Sequence, residues 1–271
     1  MRMSHKVLID GTSYNANSGA AQIDGTNYNI KKGRTLIGGA CYDVSFGTPV
    51  SNLAVGDSVF MNVDSVLTEF LVVHKGIPTR IALNVEYDAS CDGVWLVMKD
   101  IYTTRKFSSD NTLDNFEYSK SSMHTYVNNT FFGKLDSVAK SAIKTVKLPY
   151  VDYDYNGNGA IDVFEGENGL EVRTFLLSAR ELNKSGDAYF SDGNPLDYFK
   201  SNSAKAYYNG TATAYWTRSM DGDGYDPIYI DTSGLSELTT LPASRTYGVR
   251  PACIIYHETL IDSNTHTIIG L

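Results

Sequence analysis

Three copies of a 14-residue unit open the chain and restrict what this region can fold into. The segment Ile9-Asp-Gly-Thr-Ser-Tyr-Asn15 returns at Ile23–Asn29 and, with Gly-Gly replacing Asp-Gly, at Ile37–Asp43. These Gly-containing pairs supply the positive φ angles that tight hairpin turns need. Each unit has room for two short strands but is too small to bury an apolar face of its own. We therefore expect β-hairpins that are covered by one another or by neighbouring chains.

The repeats also predict a division of the chain into two parts. Residues 1–47 would form a β-hairpin repeat module, and residues 48–271 one globular domain that is long enough to bury its own core. Tyr14, Tyr28 and Tyr42 recur in register, so they would form a regular aromatic row. We predict that this row lies in the contact of a homo-oligomer, such as a trimer or a ring. The alternative is a β-meander that packs on the main domain.

The acidic balance of the chain restricts its partners. The formal net charge is −8 at pH 7, with 31 acidic residues against 23 Lys and Arg. Such a charge repels nucleic acids and anionic membranes at long range. The N-terminus has no apolar signal-peptide core, and no apolar run approaches the length of a membrane span. We expect no nucleic-acid partner, no membrane insertion and synthesis in the cytoplasm without a secretory signal.

The pattern of strands and helices beyond residue 48 predicts an α+β domain with a mainly antiparallel sheet. The chain has 19 Tyr and 23 Gly, a texture typical of strands and the turns between them. Two main helices are predicted, at Ser119–Phe131 and, from apolar residues spaced three and four apart, at Lys134–Val146. Ser178 and Glu181 match a capping box that opens a short helix. Strands are predicted at Val63–Val73, Thr79–Tyr87, Val94–Met98, Arg173–Leu177, Tyr215–Ser219, Pro227–Asp231, Gly248–Tyr256 and Thr265–Ile269.

Residues 154–165 match the spacing of an EF-hand calcium loop. Gly159 is the turn glycine, and Ca²⁺ prefers six to eight oxygen ligands such as this spacing provides. Pro149 leaves little room for an entering helix, so we predict a structural Ca²⁺ that orders a loop rather than a sensor. The alternative is an Asn/Gly-rich turn that binds nothing. The predicted ligands are Asp154, Asn156, Asn158, Ala160 (through its carbonyl), Asp162 and Glu165.

No catalytic motif emerges, so the sequence does not predict an enzyme. The five histidines are scattered, and neither a metal-binding histidine pair nor a phosphate-binding glycine loop is present. Cys41, Cys91 and Cys253 are far apart in the sequence, and we predict that they are buried thiols. Recognition would instead use the long loops at 187–210 and 220–245, whose composition suits adaptable binding. Their predicted binding residues are Tyr189, Tyr207, Tyr208, Tyr225 and Tyr229.

Several segments together resemble a known family. They are Glu69–His74, Cys91–Asp100, Phe175–Ser178 followed by Glu181, Tyr215–Ser219 and Gly248–Ala252. In this order they are similar to a domain of unknown function that is widespread in phages and gut Firmicutes. That domain in turn resembles the C-type-lectin-like fold of the formylglycine-generating enzymes. The resemblance implies a C-type-lectin-like domain, but the cysteines do not lie where the oxidising enzymes need them.

The leading repeats are similar to N-terminal segments of phage structural proteins that carry this domain. The resemblance therefore implies a virion component, such as a tail-tip, fibre or head-decoration protein. Residues 1–47 would bind other virion proteins, and the lectin-like domain would face outward to bind a host surface glycan or protein. Two alternatives remain: a purely structural decoration or collar subunit, and a glycan-active enzyme. Trp216, Arg218, Arg250 and Pro251 are expected to brace the core and not to contact a ligand.

Overall fold

The N-terminal repeats form three consecutive β-hairpins, as the sequence predicts. The computed structural model describes residues 47–79, 85–109, 117–152, 162–184, 192–221, 226–238 and 245–271, together with the backbone of Tyr153, Ile161 and the hairpin strands. Tyr14, Tyr28 and Tyr42 each occupy the third position of a hairpin's second strand. The paired strands are His5–Ile9 with Thr12–Ala16, Ala20–Ile23 with Thr26–Asn29, and Lys32–Ile37 with Ala40–Ser45.

A five-stranded antiparallel sheet, called the first sheet, forms the centre of the domain. Asp64 and Ser65 both have positive φ angles, so they form a two-residue hairpin turn that divides the strand predicted at Val63–Val73. Every residue of Val94–Met98 is buried, since both faces of this strand are covered. The strands lie in the order Thr174–Leu176, Pro251–Ile255, Val94–Met98, Val66–Lys75 and Ser58–Val63.

A second five-stranded sheet carries the aromatic surface described below. Its order is Thr103–Lys106, Thr246–Val249, Tyr215–Met220, Pro227–Ile230 and Ser236–Leu238. The second and third of these strands run parallel to each other, and the other pairs are antiparallel. Gly248 lies at that parallel contact. A Cβ there would come within 2.7 Å of Ile101 Cδ1, so the close approach of the chains requires glycine.

Short strand pairs complete the domain. Thr48–Pro49 pairs with Leu260–Ile261, which also pairs with Ile268–Gly270. The first residues after the repeats are therefore held by the C-terminal segment. The remaining pairs are Val146–Leu148 with Leu170–Val172, Tyr150–Tyr153 with Ile161–Phe164, and Tyr207–Tyr208 with Thr211–Ala212. Single 3₁₀ turns lie at Val50–Asn52, Ala89–Cys91, Tyr118–Lys120, Gly166–Asn168 and Asp197–Lys200.

Both predicted helices exist, but the second is shorter than predicted. The first is continuous from α-helical Ser122–Thr125 through a π-helical segment, Tyr126–Phe131, to Phe132–Lys134. The second spans Ser137–Ala142 and is capped by Asp136, whose carboxylate accepts a hydrogen bond from the Ala139 amide.

The residues that flank this second helix are extended, which explains the error. Leu135 bridges Val63 in the first sheet, Ile143 bridges Ile255, and Val146 begins a strand. Their apolar character reflects burial in an extended backbone. A helical spacing of apolar residues therefore indicated a longer helix than the domain contains.

The predicted capping box exists without its helix. Ser178 Oγ accepts a hydrogen bond from the Glu181 amide at 3.0 Å, and Glu181 Oε2 accepts one from the Ser178 amide at 2.9 Å. The following residues form hydrogen-bonded turns. The predicted strand Thr79–Tyr87 falls largely outside the described residues, and its last residues lie in a loop.

The buried side chains form three clusters on the faces of the two sheets. The first cluster joins them, with Trp95 and Phe175 from the first sheet and Tyr215 and Ile230 from the second. The second covers the other face of the first sheet and includes Ala139 of the short helix. The third cluster packs the second sheet against the longer helical segment, and its members are Phe107, Tyr118, Met123, Val127, Leu176, Trp216 and Val249.

The domain is thus a mixed α+β fold with mostly antiparallel sheets and few helices. Cys91 and Cys253 are free, buried thiols, and burial raises the pKa of each to about 12. Within the described part of the chain, no helix combines the length and apolarity needed to cross a membrane.

Candidate binding surface

Four half-buried tyrosines lie along one surface of the domain, and we call them the tyrosine strip. They are Tyr229 and Tyr247 from the second sheet, Tyr126 from the π-helical segment, and Tyr102, which precedes the edge strand. Tyr126, Tyr229 and Tyr247 pack on the outside of the third core cluster. The strip therefore combines an apolar support with rings that remain partly open to solvent.

Trp216 supports the part of the strip that lies on the sheet. Tyr229 is its partner on the neighbouring strand, so the two side chains share a face. The rings of Tyr229 and Tyr247 stack at 4.3 Å with an interplanar angle of 28°. The Trp216 ring lies 4.7 Å from that of Tyr247 and is fully buried. Burial and the hydrogen bond with Tyr247 raise the pKa of Tyr229 to about 12, so its hydroxyl stays neutral at physiological pH.

Arg105 connects the sheet to the helical part of the strip. It lies opposite Tyr247 on the neighbouring strand, and its guanidinium sits 4.0 Å from the centre of the Tyr126 ring. The Trp216 indole N–H donates a hydrogen bond to the Arg105 carbonyl at 2.8 Å, which fixes the backbone there. Burial and nearby Tyr102 raise the pKa of Tyr126. Tyr102 in turn packs edge-to-face on buried Phe131 at 5.0 Å.

A buried ion pair that includes Arg218, two residues after Trp216 on the same strand, holds several loops together. Arg218 and Glu181 are both almost fully buried and join through two contacts of 2.5 and 2.7 Å. Glu181 also accepts a hydrogen bond from the Tyr87 hydroxyl at 2.8 Å. Arg218 donates to the carbonyls of Leu176 and Asp192 as well. Arg218 therefore braces the core, as predicted, and buried Trp216 does so too.

Asp192 is a second acid in this buried network. Its Oδ2 accepts a hydrogen bond from Ser219 Oγ at 2.6 Å, whereas Oδ1 is buried without a hydrogen-bond partner among the described residues. Burial raises the pKa of Asp192 to about 6, although Arg218 opposes this shift. A carboxyl that lacks a partner for one oxygen is expected to favour its neutral form.

Arg250 is the other predicted core arginine, and its contacts confirm that role. The side chain is buried, and Nε donates to the Met98 carbonyl at 2.8 Å while Nη2 donates to the Lys99 carbonyl at 3.1 Å. Its Nη1 donates to the Tyr215 hydroxyl at 3.3 Å. Arg250 thus fixes the turn after the central strand of the first sheet, and Pro251 beside it is buried in the same sheet.

The tyrosine strip and the Arg218–Glu181 pair lie in a region that matches one protein family. Residues 92–257 match the family described as "Domain of unknown function (DUF6273)". This chain belongs to the DUF6273 family. No curated protein and no solved structure matches it. The DUF6273 region contains the whole second sheet, whereas the repeats and the strands Ser58–Val63 and Val66–Lys75 precede it.

The calcium-loop segment lies inside the DUF6273 region and joins two strands of a hairpin. Four of its predicted ligands, Asp154, Asn156, Asn158 and Ala160, lie outside the described residues. Asp162 faces Asp152 across the strand pair, and the Asp152 carboxylate bonds to Lys120 at 3.0 Å. Glu165 Oε2 accepts a hydrogen bond from the Glu86 amide at 2.7 Å. No cluster of three acidic, His or Cys side chains able to hold a metal occurs among the described residues, so the Ca²⁺ site stays a prediction.

The structure separates the tyrosines that were predicted to bind a ligand. Tyr229 belongs to the strip. Tyr207 and Tyr208 form a small hairpin, and Tyr208 packs against the first core cluster, on the other face of the second sheet. Tyr189 and Tyr225 lie outside the described residues.

Sequence reasoning missed Tyr102, Tyr126, Tyr247 and Arg105. The strand Thr246–Val249 is short, and its pairing with Thr103–Lys106 joins segments that are far apart in the chain. One signal was available: within that strand, alternation places Tyr247 and buried Val249 on one face.

Proposed function

We propose that this DUF6273 protein is a structural component of a phage virion. In this proposal the domain has a C-type-lectin-like fold, faces outward and binds a host surface polysaccharide along the tyrosine strip. The N-terminal hairpins join the chain to its own copies and to other virion proteins. The protein acts by binding and does not catalyse a reaction.

The row of four half-buried tyrosines is the observation that carries this proposal. Tyrosine offers an apolar ring and a polar hydroxyl with few rotatable bonds, so it contributes contact area at a low entropy cost. Sugars present the matching combination, because their C–H faces are apolar and their edges are hydroxyl groups. The rings of the strip also rest on Trp216 and Phe131, which are buried. Rings that are ordered before binding lose little freedom when a ligand arrives.

The arrangement of the strip favours an extended ligand over a small one. Its tyrosines come from two strands of the second sheet, from the segment before the edge strand and from the π-helical segment. Tyr126, Tyr229 and Tyr247 lie on the outside of the third core cluster, Tyr102 packs against the second, and all four rings remain partly open to solvent. Small molecules generally bind in concave pockets that bury most of their surface. A polymer can instead contact successive rings along an open surface.

The hairpin repeats support attachment of the chain to an assembly. The outer side of each hairpin strand carries backbone N–H and C=O groups that stay unpaired unless another strand or chain covers them. Such edges favour pairing with a further strand. Tyr14, Tyr28 and Tyr42 occupy equivalent backbone positions in the three hairpins. We propose that these positions face neighbouring copies in a homo-oligomer.

The test compares polysaccharide binding by Tyr247→Ala and by a matched control, Tyr207→Ala. Tyr207, one of the loop tyrosines that the sequence predicted to bind, is 43% exposed and lies outside the strip. Its loss therefore controls for removing a partly exposed tyrosine and also tests that alternative site. Binding to host cell-wall preparations and to a glycan array would be measured for both variants and the unaltered protein. Because anchoring aromatic residues typically contribute about 2 kcal/mol or more, we expect Tyr247→Ala to weaken binding by about 30-fold. Tyr207→Ala should leave binding unchanged.

The outcomes separate this proposal from its alternatives. Urea denaturation of each variant shows whether a loss of binding reflects unfolding. Equal binding by Tyr247→Ala and the unaltered protein would refute the strip as the binding surface. Failure to bind any host polymer would favour a purely structural subunit. Release of shorter glycans during the incubation would instead reveal an enzyme.

A further inference from the structure

We infer that the polysaccharide bound by the tyrosine strip carries phosphate or carboxylate groups and that Arg105 binds them. This inference rests on the proposed function, because it names the class of polymer for the same surface. It goes beyond stacking on tyrosine, which by itself does not distinguish neutral from charged sugars.

Among the described residues, two arginines without carboxylate partners lie at this edge of the second sheet: Arg105 in the edge strand, and Arg245 just before the neighbouring strand Thr246–Val249. Lys106 follows Arg105 and pairs with Thr246, so it faces the other side of the sheet, because successive side chains of a strand alternate. Arg105, Lys106 and Arg245 are all exposed, and none forms an ion pair among the residues that the structure describes. The chain as a whole has a net charge of −8. Arg105 and Arg245 therefore form a local basic surface on a protein that is acidic overall.

The position of Arg105 suits recognition of an anion beside a sugar ring. Its guanidinium lies 4.0 Å over the Tyr126 ring, and its backbone carbonyl is fixed by Trp216. An arginine that stacks on an aromatic ring keeps N–H groups at its edge for a planar carboxylate or a phosphate. Tyr247 lies opposite Arg105 on the neighbouring strand. A sugar on Tyr247 would therefore place its anionic substituent within reach of the guanidinium.

Among the described residues, the other charges near the strip do not cancel the charge of Arg105. Lys134 and Asp64, which both affect the pKa of Tyr126, neutralise each other in a 2.9 Å ion pair. Glu237 lies opposite Tyr229, on the strand at the other edge of the sheet. At physiological salt the screening length is about 8 Å, so charges in contact with the polymer outweigh the distant acidic surface. We therefore expect anionic groups to bind near Arg105 and neutral sugars to bind near Tyr229.

The test uses polymers that differ in charge. Polygalacturonate supplies carboxylates, its fully methyl-esterified form removes them from the same backbone, and poly(glycerol phosphate) supplies phosphates. Each would be titrated by calorimetry into the full chain, Arg105→Gln, Lys205→Gln and Tyr247→Ala. Lys205 is a matched control, because it is exposed and lies between Ala204 and Ala206, which belong to the first core cluster.

Arg105→Gln should weaken binding of at least one anionic polymer by about tenfold and leave the methyl ester unaffected, since it removes a charge-assisted hydrogen bond. Lys205→Gln should change the binding of neither the anionic polymers nor the methyl ester. Whether the carboxylate or the phosphate polymer responds identifies the anion. If acid and ester bind equally and Arg105→Gln has no effect while Tyr247→Ala weakens both, the charge inference is wrong and the strip remains a glycan site. If host cell wall binds but neither anionic polymer does, the charge inference alone is wrong. If Tyr247→Ala has no effect on binding, the proposed function fails as well.

Discussion

Replacing Glu181 by glutamine tests whether the buried ion pair holds the loops of the domain together. The Glu181 carboxylate accepts hydrogen bonds from Tyr87, from the Ser178 amide and from both terminal nitrogens of Arg218. Glutamine keeps the size of the side chain, but its amide nitrogen is a donor that faces other donors. The substitution also leaves the Arg218 charge without its partner, in a side chain that is 1% exposed.

The expected loss of stability follows from that burial. Removing one partner of a buried pair typically costs about 3–5 kcal/mol, because the remaining charge is left uncompensated. Domains of this kind have unfolding free energies of roughly 5–15 kcal/mol, so Glu181→Gln should remove a large part of the total. In urea the unfolding midpoint should fall by about 1–2 M, given the slopes usual for globular domains.

The matched control makes the same substitution at a surface pair. Glu69 bonds to Lys99 at 2.9 Å, but the two side chains are 29% and 50% exposed. Solvent screens such a pair, so Glu69→Gln should cost no more than about 1 kcal/mol. Both variants would be unfolded in urea and followed by tryptophan fluorescence. Equal, small shifts of the two midpoints would refute the idea that the Arg218–Glu181 pair is a main support of the fold.

Three further predictions concern pH, calcium and assembly. Because burial raises the pKa of Asp192 from 3.8 to about 6, the folded chain binds its proton more tightly than the unfolded chain, and stability should fall by about 2–3 kcal/mol as the pH rises through that range. Asp192→Asn should abolish this fall when stability is measured by urea denaturation between pH 4 and 7. An unchanged pH profile would show that Asp192 is not the titrating group. If Ca²⁺ binds at 154–165, millimolar Ca²⁺ should raise the melting temperature and Glu165→Gln should remove the gain, whereas identical melting curves with and without chelator would argue against the site. A chain shortened to begin at Gly47, which keeps the strand Thr48–Pro49, should stay folded and become monomeric. The full chain should oligomerise by light scattering, and a monomeric full chain at high concentration would exclude the repeats as the assembly module.

Features that depend on neighbouring residues were predictable from the sequence. The hairpin repeats follow from Asp-Gly and Gly-Gly turns, and the buried strand Val94–Met98 follows from its continuous apolar run. The reciprocal hydrogen bonds of Ser178 and Glu181 follow from their spacing. In each case the physical cause lies within a few residues of the feature.

Features that depend on contacts between distant segments were not predictable. Glu181 satisfied a local capping pattern, yet its main partner is Arg218, 37 residues away. The strip unites residues near positions 102, 126, 229 and 247, and a single sequence does not reveal which strands pair. The helix predicted at Lys134–Val146 is shorter than predicted for the same reason, because the partners Val63 and Ile255 keep its two flanks extended.

The contact between the start of the domain and its C-terminal segment has a mechanical consequence. Thr48 and Pro49 pair with Ile261 and Leu260, and the Val50 amide donates to the Thr259 carbonyl at 2.8 Å. Any tension that reaches the domain through its N-terminal repeats is therefore first carried by the C-terminal segment. The strands Leu260–Ile261 and Ile268–Gly270 would bear the load before either large sheet, so the tyrosine strip is shielded from pulling at that end.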